Sequence, residues 1–297
     1  MVRTVVAAIA VGALVGGACS EPPEDKPRSS GDAQSFEGPV PSDAKAYPLV
    51  VSSEIVVGSN RFLIGLLNDE DAPIGSPEID VEARFFNLDE SSQEPVSEAQ
   101  LSYLESIPGE RGLYVGTVEF DAAGKWGAEV DISGDGLDET VRTSFEVKEE
   151  PSTPEIGAPA PDSETPTADD VKKLSEITTD AHPDPAFYKL SVDEAIERRE
   201  PFVVVFATPK FCSSAVCGPT LNVVKEVSED HAGLTFIHVE VYSNLDDPSN
   251  LKLVRSVKEW GLPTEPWVFV VDERGRVAAK YEGTVGPDEL DAELEKL

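Results

Sequence analysis

The sequence predicts an exported protein of two globular domains, an all-β sandwich followed by an α/β domain. Three observations carry that expectation. Short apolar runs separated by turn residues fill positions 46–148. A Pro-rich stretch occupies 149–183. From 184 onward, continuous apolar runs of strand length alternate with stretches of helical periodicity. The length of 297 residues fits about two domains.

Composition narrows the function classes. The chain has 24 Lys plus Arg against 57 Asp plus Glu, a formal charge of −33. Phosphate backbones are bound by clustered cations, and no such cluster occurs, so no nucleic-acid partner is expected. An anionic membrane surface would repel this chain, so any membrane attachment has to be hydrophobic or covalent. The charge is uneven, −24 over residues 1–183 and −9 over residues 184–297. Hydrophobic residues make up 40% of the chain, enough to form real cores.

Residues 1–18 read as a signal peptide. Arg3 is followed by an apolar run from Val5 to Val15, too short to span a bilayer, and then by the small residues Gly16, Gly17 and Ala18. The stretch Leu14-Val15-Gly16-Gly17-Ala18-Cys19 resembles a bacterial lipoprotein signal. That resemblance implies a lipid on Cys19 and an extracytoplasmic protein anchored to the cell membrane. Cleavage after Ala18 without a lipid, giving a free secreted protein, is the alternative. Residues 19–45 follow as a polar, Pro-rich tether.

Within 46–148 the runs Leu49–Val51, Phe62–Leu66, Val81–Phe86, Leu113–Val118 and Phe145–Val147 read as strands, several of them half-buried, and Trp126 as a core residue. The pattern Tyr114-Val115-Gly116-Thr117-Val118-Glu119-Phe120, then Ala123-Gly124-Lys125-Trp126, looks like exported bacterial immunoglobulin-like domains. It implies an immunoglobulin-like sandwich of about seven strands. The segment Asp131–Glu139 has carboxylates near calcium-loop spacing, but a Gly-rich turn between two strands explains it better. This region contains no His, and the one Met of the chain is Met1, which argues against a soft-metal carrier. No metal and no cofactor are expected. Residues 149–183, with six prolines between Pro151 and Pro183, read as a linker.

Residues 184–297 read as α-β-α-β-α-β-β-α. Ser191 and Glu194 form a capping box that opens a helix to about Arg199. Phe202–Phe206 is an apolar run suited to a strand buried on both faces. A helix through Leu221, Val224 and Val227 follows, then a strand over Leu234–Val241 and a helix over Asn250–Trp260. Trp267–Val271 and Arg276–Tyr281 form a hairpin, and Asp288–Leu297 a last helix.

The cysteines Cys212 and Cys217 follow the first buried strand. In an ideal helix, residues five apart have Cα atoms ~8.6 Å apart, whereas a disulfide needs less than ~7 Å. A bonded pair therefore puts Cys212 in a loop or a distorted first turn. With Pro263-Thr264-Glu265-Pro266-Trp267 ahead of the third strand, the pair makes residues 184–297 resemble a thioredoxin-like domain. The resemblance implies a thioredoxin-like fold and thiol–disulfide exchange with protein thiols and disulfides. It makes Cys212 the nucleophile and Cys217 the resolving thiol, with a cis proline at Pro266 and Glu265 beside it at the substrate. The reverse assignment stays open, because Cys217-Gly218-Pro219-Thr220 resembles a monothiol version of the motif. A helix N-terminus would lower the thiol pKa; Lys210 would reinforce that effect and Glu265 oppose it.

The spacing is C-x4-C in place of C-x-x-C, and the run from Thr208 to Gly218 is also similar to atypical two-cysteine peroxiredoxins, which implies a peroxidase as one alternative. Another is a binding or scaffold lipoprotein with a structural Cys212–Cys217 disulfide. His182, His231 and His238 show no ligand spacing; a copper site would need the Cys pair plus His238, whose strand position argues against it.

Overall fold

The computed structural model describes residues 35–36 and 43–297. The expected signal peptide, Cys19 and most of the tether lie outside the described residues.

The apolar runs of the first half form β1 (Tyr47–Val50), β2 (Gly58–Leu67), β3 (Pro73–Ile74), β4 (Asp80–Asn87), β5 (Ser97–Ile107), β6 (Arg111–Phe120), β7 (Gly124–Gly134) and β8 (Leu137–Val147). They make one eight-stranded sheet in the order β1-β2-β6-β5-β4-β7-β8, with β3 paired to β2. The sheet curls until its ends nearly meet. Lys45 N, just ahead of β1, donates to Glu139 Oε1 on β8 at 3.3 Å. Phe62, Phe85, Phe120 and Trp126 fill the interior edge to face, with centroids 5.1 Å apart for Phe62–Phe85 and 4.9 Å for Phe120–Trp126. The turn at Asp135-Gly136 has φ of 50° and 81°, the left-handed pair a two-residue hairpin uses.

Phe36 docks on the outside of this sheet. Its ring lies 4.9 Å from that of Phe86 and beneath the Arg142 guanidinium at 4.7 Å. A Cβ on Gly127 would come within 2.4 Å of the Phe36 ring, so glycine is what lets the ring approach the strand.

The second half contains α1 (Val192–Arg198), β9 (Phe202–Ala207), α2 (Cys217–Asp230), β10 (Thr235–Glu240), β11 (Tyr242–Ser243), β12 (Lys252–Leu253), α3 (Arg255–Glu259), β13 (Trp267–Val271), β14 (Val277–Glu282) and α4 (Pro287–Leu294). Strands β10-β9-β13-β14 form a four-stranded sheet, with β10 parallel to β9 and the other pairs antiparallel. Every residue of β9 is buried. Val203, Val205 and Ala207 face the core under α2 and α4. Phe202, Val204 and Phe206 face a second core with Val192, Val257 and Trp260. At the start of α1, Ser191 N donates to Glu194 Oε2 at 3.1 Å and Glu194 N to Ser191 Oγ at 3.4 Å, which closes the capping box.

The fold class expected from the sequence is corrected by the structure. Strand makes up 38% of the chain and helix 17%; the first half is one nearly closed, barrel-like sheet rather than an immunoglobulin-like sandwich, and no thioredoxin-like α/β fold is evident in the second. The first correction has its cause in β5. Its Ser97–Leu101 half pairs with β4, and its Ser102–Ile107 half pairs with β6. One long strand thus fuses what would have been two sheets. In the second half the helical layers are thin. Helices α1 and α3 have seven and five residues, and the helix expected over 250–260 gives way to a 3₁₀ turn, the β12 strand and the short α3.

Residues 149–183 have the irregular backbone expected of a linker, but they are packed. Pro159 bridges Arg276 just ahead of β14, and Thr153, Ser163, Thr165 and Thr178 are buried.

The two halves meet through polar contacts. The Glu54 carboxylate accepts from Ser152 N and Oγ, Thr153 N and Oγ1, and Lys280 Nζ, at 2.5–3.1 Å. Arg61 forks onto Glu289 at 2.6 and 2.8 Å. Glu282 accepts from Ser53 N at 2.9 Å and from Thr264 Oγ1 at 3.0 Å. Among the described residues no helix is long and apolar enough to cross a membrane.

Candidate functional site

Ala207 ends β9, and the backbone then loops through Thr208–Val216 before α2 begins. Cys212 N and Phe211 N both donate to Thr208 O, at 3.1 and 3.2 Å. Cys212 and Cys217 form a disulfide with their Cα atoms 6.0 Å apart. As the spacing argument requires, the helix does not run through both: Cys212 sits in the loop and Cys217 is the first residue of α2.

The two sulfurs have different surroundings. Cys217 is fully buried among Val203, Leu221 and Val224, whereas Cys212 is half-buried. Cys212 Sγ accepts from Cys217 N at 3.3 Å, so an unfilled donor of the first helical turn points at it, and Ser214 Oγ lies 3.3 Å away. A backbone N–H and a hydroxyl thus stand at the Cys212 sulfur. Lys210 is exposed and its Nζ lies 5.3 Å over the Phe211 ring.

The Glu265–Pro266 peptide is cis and lies directly ahead of β13. Burial, followed by the charge of Glu240, raises the Glu265 pKa. Glu240 was not anticipated as a site residue. It ends β10 opposite Ala207 and is 4% exposed. Its Oε2 accepts from Thr179 N and Oγ1 at 2.8 and 2.6 Å, and burial pushes its pKa up against those bonds. Thr179 Oγ1 in turn accepts from Lys210 N at 3.2 Å, which ties Glu240 to the cysteine loop through the 149–183 segment. The sequence signal for Glu240 is a lone acid at the end of a strand that also carries Phe236, Ile237 and Val239.

Beside the disulfide lies a cleft of about 320 Å³ that the sequence did not suggest. Ser214 and Val216 from the cysteine loop form one side with Thr264 and Glu265, and β1, β2 and β6 of the barrel form the other. Arg111 on β6 reaches across and donates to Ser214 O at 3.3 Å.

His238 is buried on β10, with Tyr188 Oη 2.7 Å from Nδ1 and Ala207 O 3.1 Å from Nε2. Burial lowers its pKa to about 4. The Asp131 carboxylate is engaged by Arg84 at 2.7 Å and Thr140 at 2.5 Å. Among the described residues no cluster of His, Cys, Asp or Glu is arranged to hold a metal ion.

No family model matches the chain, and no curated protein matches it. Among solved structures, an engineered protein crystallised at 1.98 Å is similar over 35% of this chain and 20% of that one, with 10% identity and a TM-score of 0.24. The chain spans about a fifth of that structure's length. So slight a likeness carries no argument about fold or function.

Proposed function

We propose that this chain is an extracytoplasmic thiol–disulfide oxidoreductase in which Cys212 exchanges with substrate and Cys217 resolves. The observation that carries the reading is the asymmetry of the disulfide. Cys212 is reachable and has a backbone N–H and a hydroxyl at its sulfur, while Cys217 is sealed in the core. A substrate thiolate attacks Cys212 Sγ in line with the Cys212–Cys217 bond, and Cys217 leaves as the thiolate and takes up a proton. The second substrate thiolate then attacks the substrate sulfur of the mixed disulfide and expels Cys212 as thiolate. The substrate loses two electrons and the protein disulfide gains them; the reverse sequence reduces a substrate disulfide. The partners are protein thiols and disulfides, and the proposed membrane attachment is a lipid on Cys19.

Insulin reduction with dithiothreitol as electron donor, together with a redox titration, tests this. We expect turnover that is lost in Cys212→Ser, and a mixed disulfide with an insulin chain that accumulates in Cys217→Ser alone. Absence of turnover, with a potential below about −300 mV, marks an inert structural disulfide and refutes the proposal.

A further inference from the structure

We infer that the cleft beside the disulfide is a substrate pocket for an extended polypeptide segment with a large apolar side chain next to its cysteine, and that the barrel supplies its specificity. The inference rests on the oxidoreductase reading and names the substrate class of that same site.

Position is the first argument. Ser214 and Val216 lie between the two cysteines in sequence and line the cleft, so a group held there is continuous with the disulfide loop. The second is the chemistry of the walls. The barrel contributes Leu49, Val51, Leu63 and Leu113, and Leu49 is 50% exposed although it lies on a strand. A volume of about 320 Å³ is at the small end of ligand pockets. It suits a side chain or two of an extended chain and not a folded surface.

Charge is the third argument. The acids Glu265 and Glu282 stand on the cleft wall in a chain of net charge −33. Small anionic thiols are repelled from such a wall, whereas an apolar side chain on a neutral or basic peptide is not. Arg111, the cation on the wall, donates to the neutral Ser214 O and keeps its charge, so the wall carries two acids against one base.

The full mature protein is tested with two disulfide-bonded peptides that differ in one residue beside the cysteine, Phe or Ser, and with neutral hydroxyethyl disulfide. A cysteine-free Phe peptide is titrated calorimetrically in parallel. We expect the Phe peptide to exchange at least tenfold faster than the Ser peptide, and Leu49→Asp to abolish that preference by slowing the Phe peptide to the rate of the Ser peptide. Leu49→Ser, a milder change at an exposed position, is expected to give an intermediate preference. A preference near one in the wild type, or one that survives Leu49→Asp, overturns the inference. So does a concentration-dependent dimer that Leu49→Asp dissociates, or tighter peptide binding after removal of residues 20–34, since either shows the cleft covered by this chain. Failure of hydroxyethyl disulfide to react, with Leu49-dependent binding of the cysteine-free peptide retained, refutes the oxidoreductase reading instead and leaves a peptide-binding cleft.

Discussion

Glu54→Gln isolates the joint between the barrel and the second sheet. Burial on its own would raise the Glu54 pKa, but the hydrogen bonds from Thr153 and Ser152 and the charge of Lys280 outweigh it and hold the group at about 2, against 4.5 for an ordinary carboxyl. Those two values put the stabilisation of the ionised form at about 3 kcal/mol. The folded value is the lower one, so the contribution is whole above about pH 4.5 and is lost as pH falls through 2. Glutamine keeps the shape and removes the charge. It also turns an amide N–H2 toward groups that are themselves donors, so little is recovered. At pH 7 we expect a loss of about 3 kcal/mol, or about 1 M in the urea midpoint for a chain with an m-value near 3 kcal/mol/M. The assay is urea unfolding of wild type and variant from pH 7 to pH 2. The chain-wide relief of repulsion in acid is common to both proteins, so their difference reports Glu54. A variant within about 0.5 kcal/mol of wild type at pH 7 would refute the reasoning, as would a difference that does not shrink below pH 4.5.

Two further outcomes are expected. His238 has its pKa depressed to about 4 from 6.5, so the neutral ring stabilises the fold above about pH 6.5 and that support is lost as pH falls through 4; His238→Gln should flatten the stability profile across this window, and an unchanged slope would count against the assignment. Gly127→Ala should expel Phe36, because its Cβ would sit 2.4 Å from the ring, at a cost of about 1–3 kcal/mol for the lost aromatic burial. Thermal unfolding should then show a loss matching that of Phe36→Ala; a Gly127→Ala protein as stable as wild type would show that the ring can shift.

The sequence revealed local structure well and assembly poorly. Apolar runs located β2, β4 and β6, and the run Phe202–Phe206 became a strand buried on both faces. Helix geometry alone requires a bonded Cys212 to lie outside the regular helix, as it does. Pairing was not readable in the same way. The alternation in β5 is the same whether the strand serves one sheet or two, and the register that splits it between β4 and β6 depends on residues far along the chain. Over Asn250–Trp260 the helical spacing holds only in part: Val257 and Trp260 are buried, but Leu253 is exposed on β12 and Val254 is the N-cap of a one-turn helix. The cleft was hidden because Leu49 and Ser214 are far apart in sequence and become neighbours through Arg111, Arg61 and Glu54, whose partners no pattern identifies.

The joint also governs how the two halves move. A hinge or shear motion needs an interface whose contacts survive displacement, and directional hydrogen bonds do not. A carboxylate gripped by five donors, next to a forked Arg61–Glu289 pair, has one geometry and loses most of its bonds when displaced. The barrel is therefore welded to the sheet, and the gap beside Cys212 has a fixed width. For the exchange reaction proposed above, a rigid gap leaves the adapting to the substrate: a pliable segment would thread toward the sulfur, while a folded partner would have to open locally first.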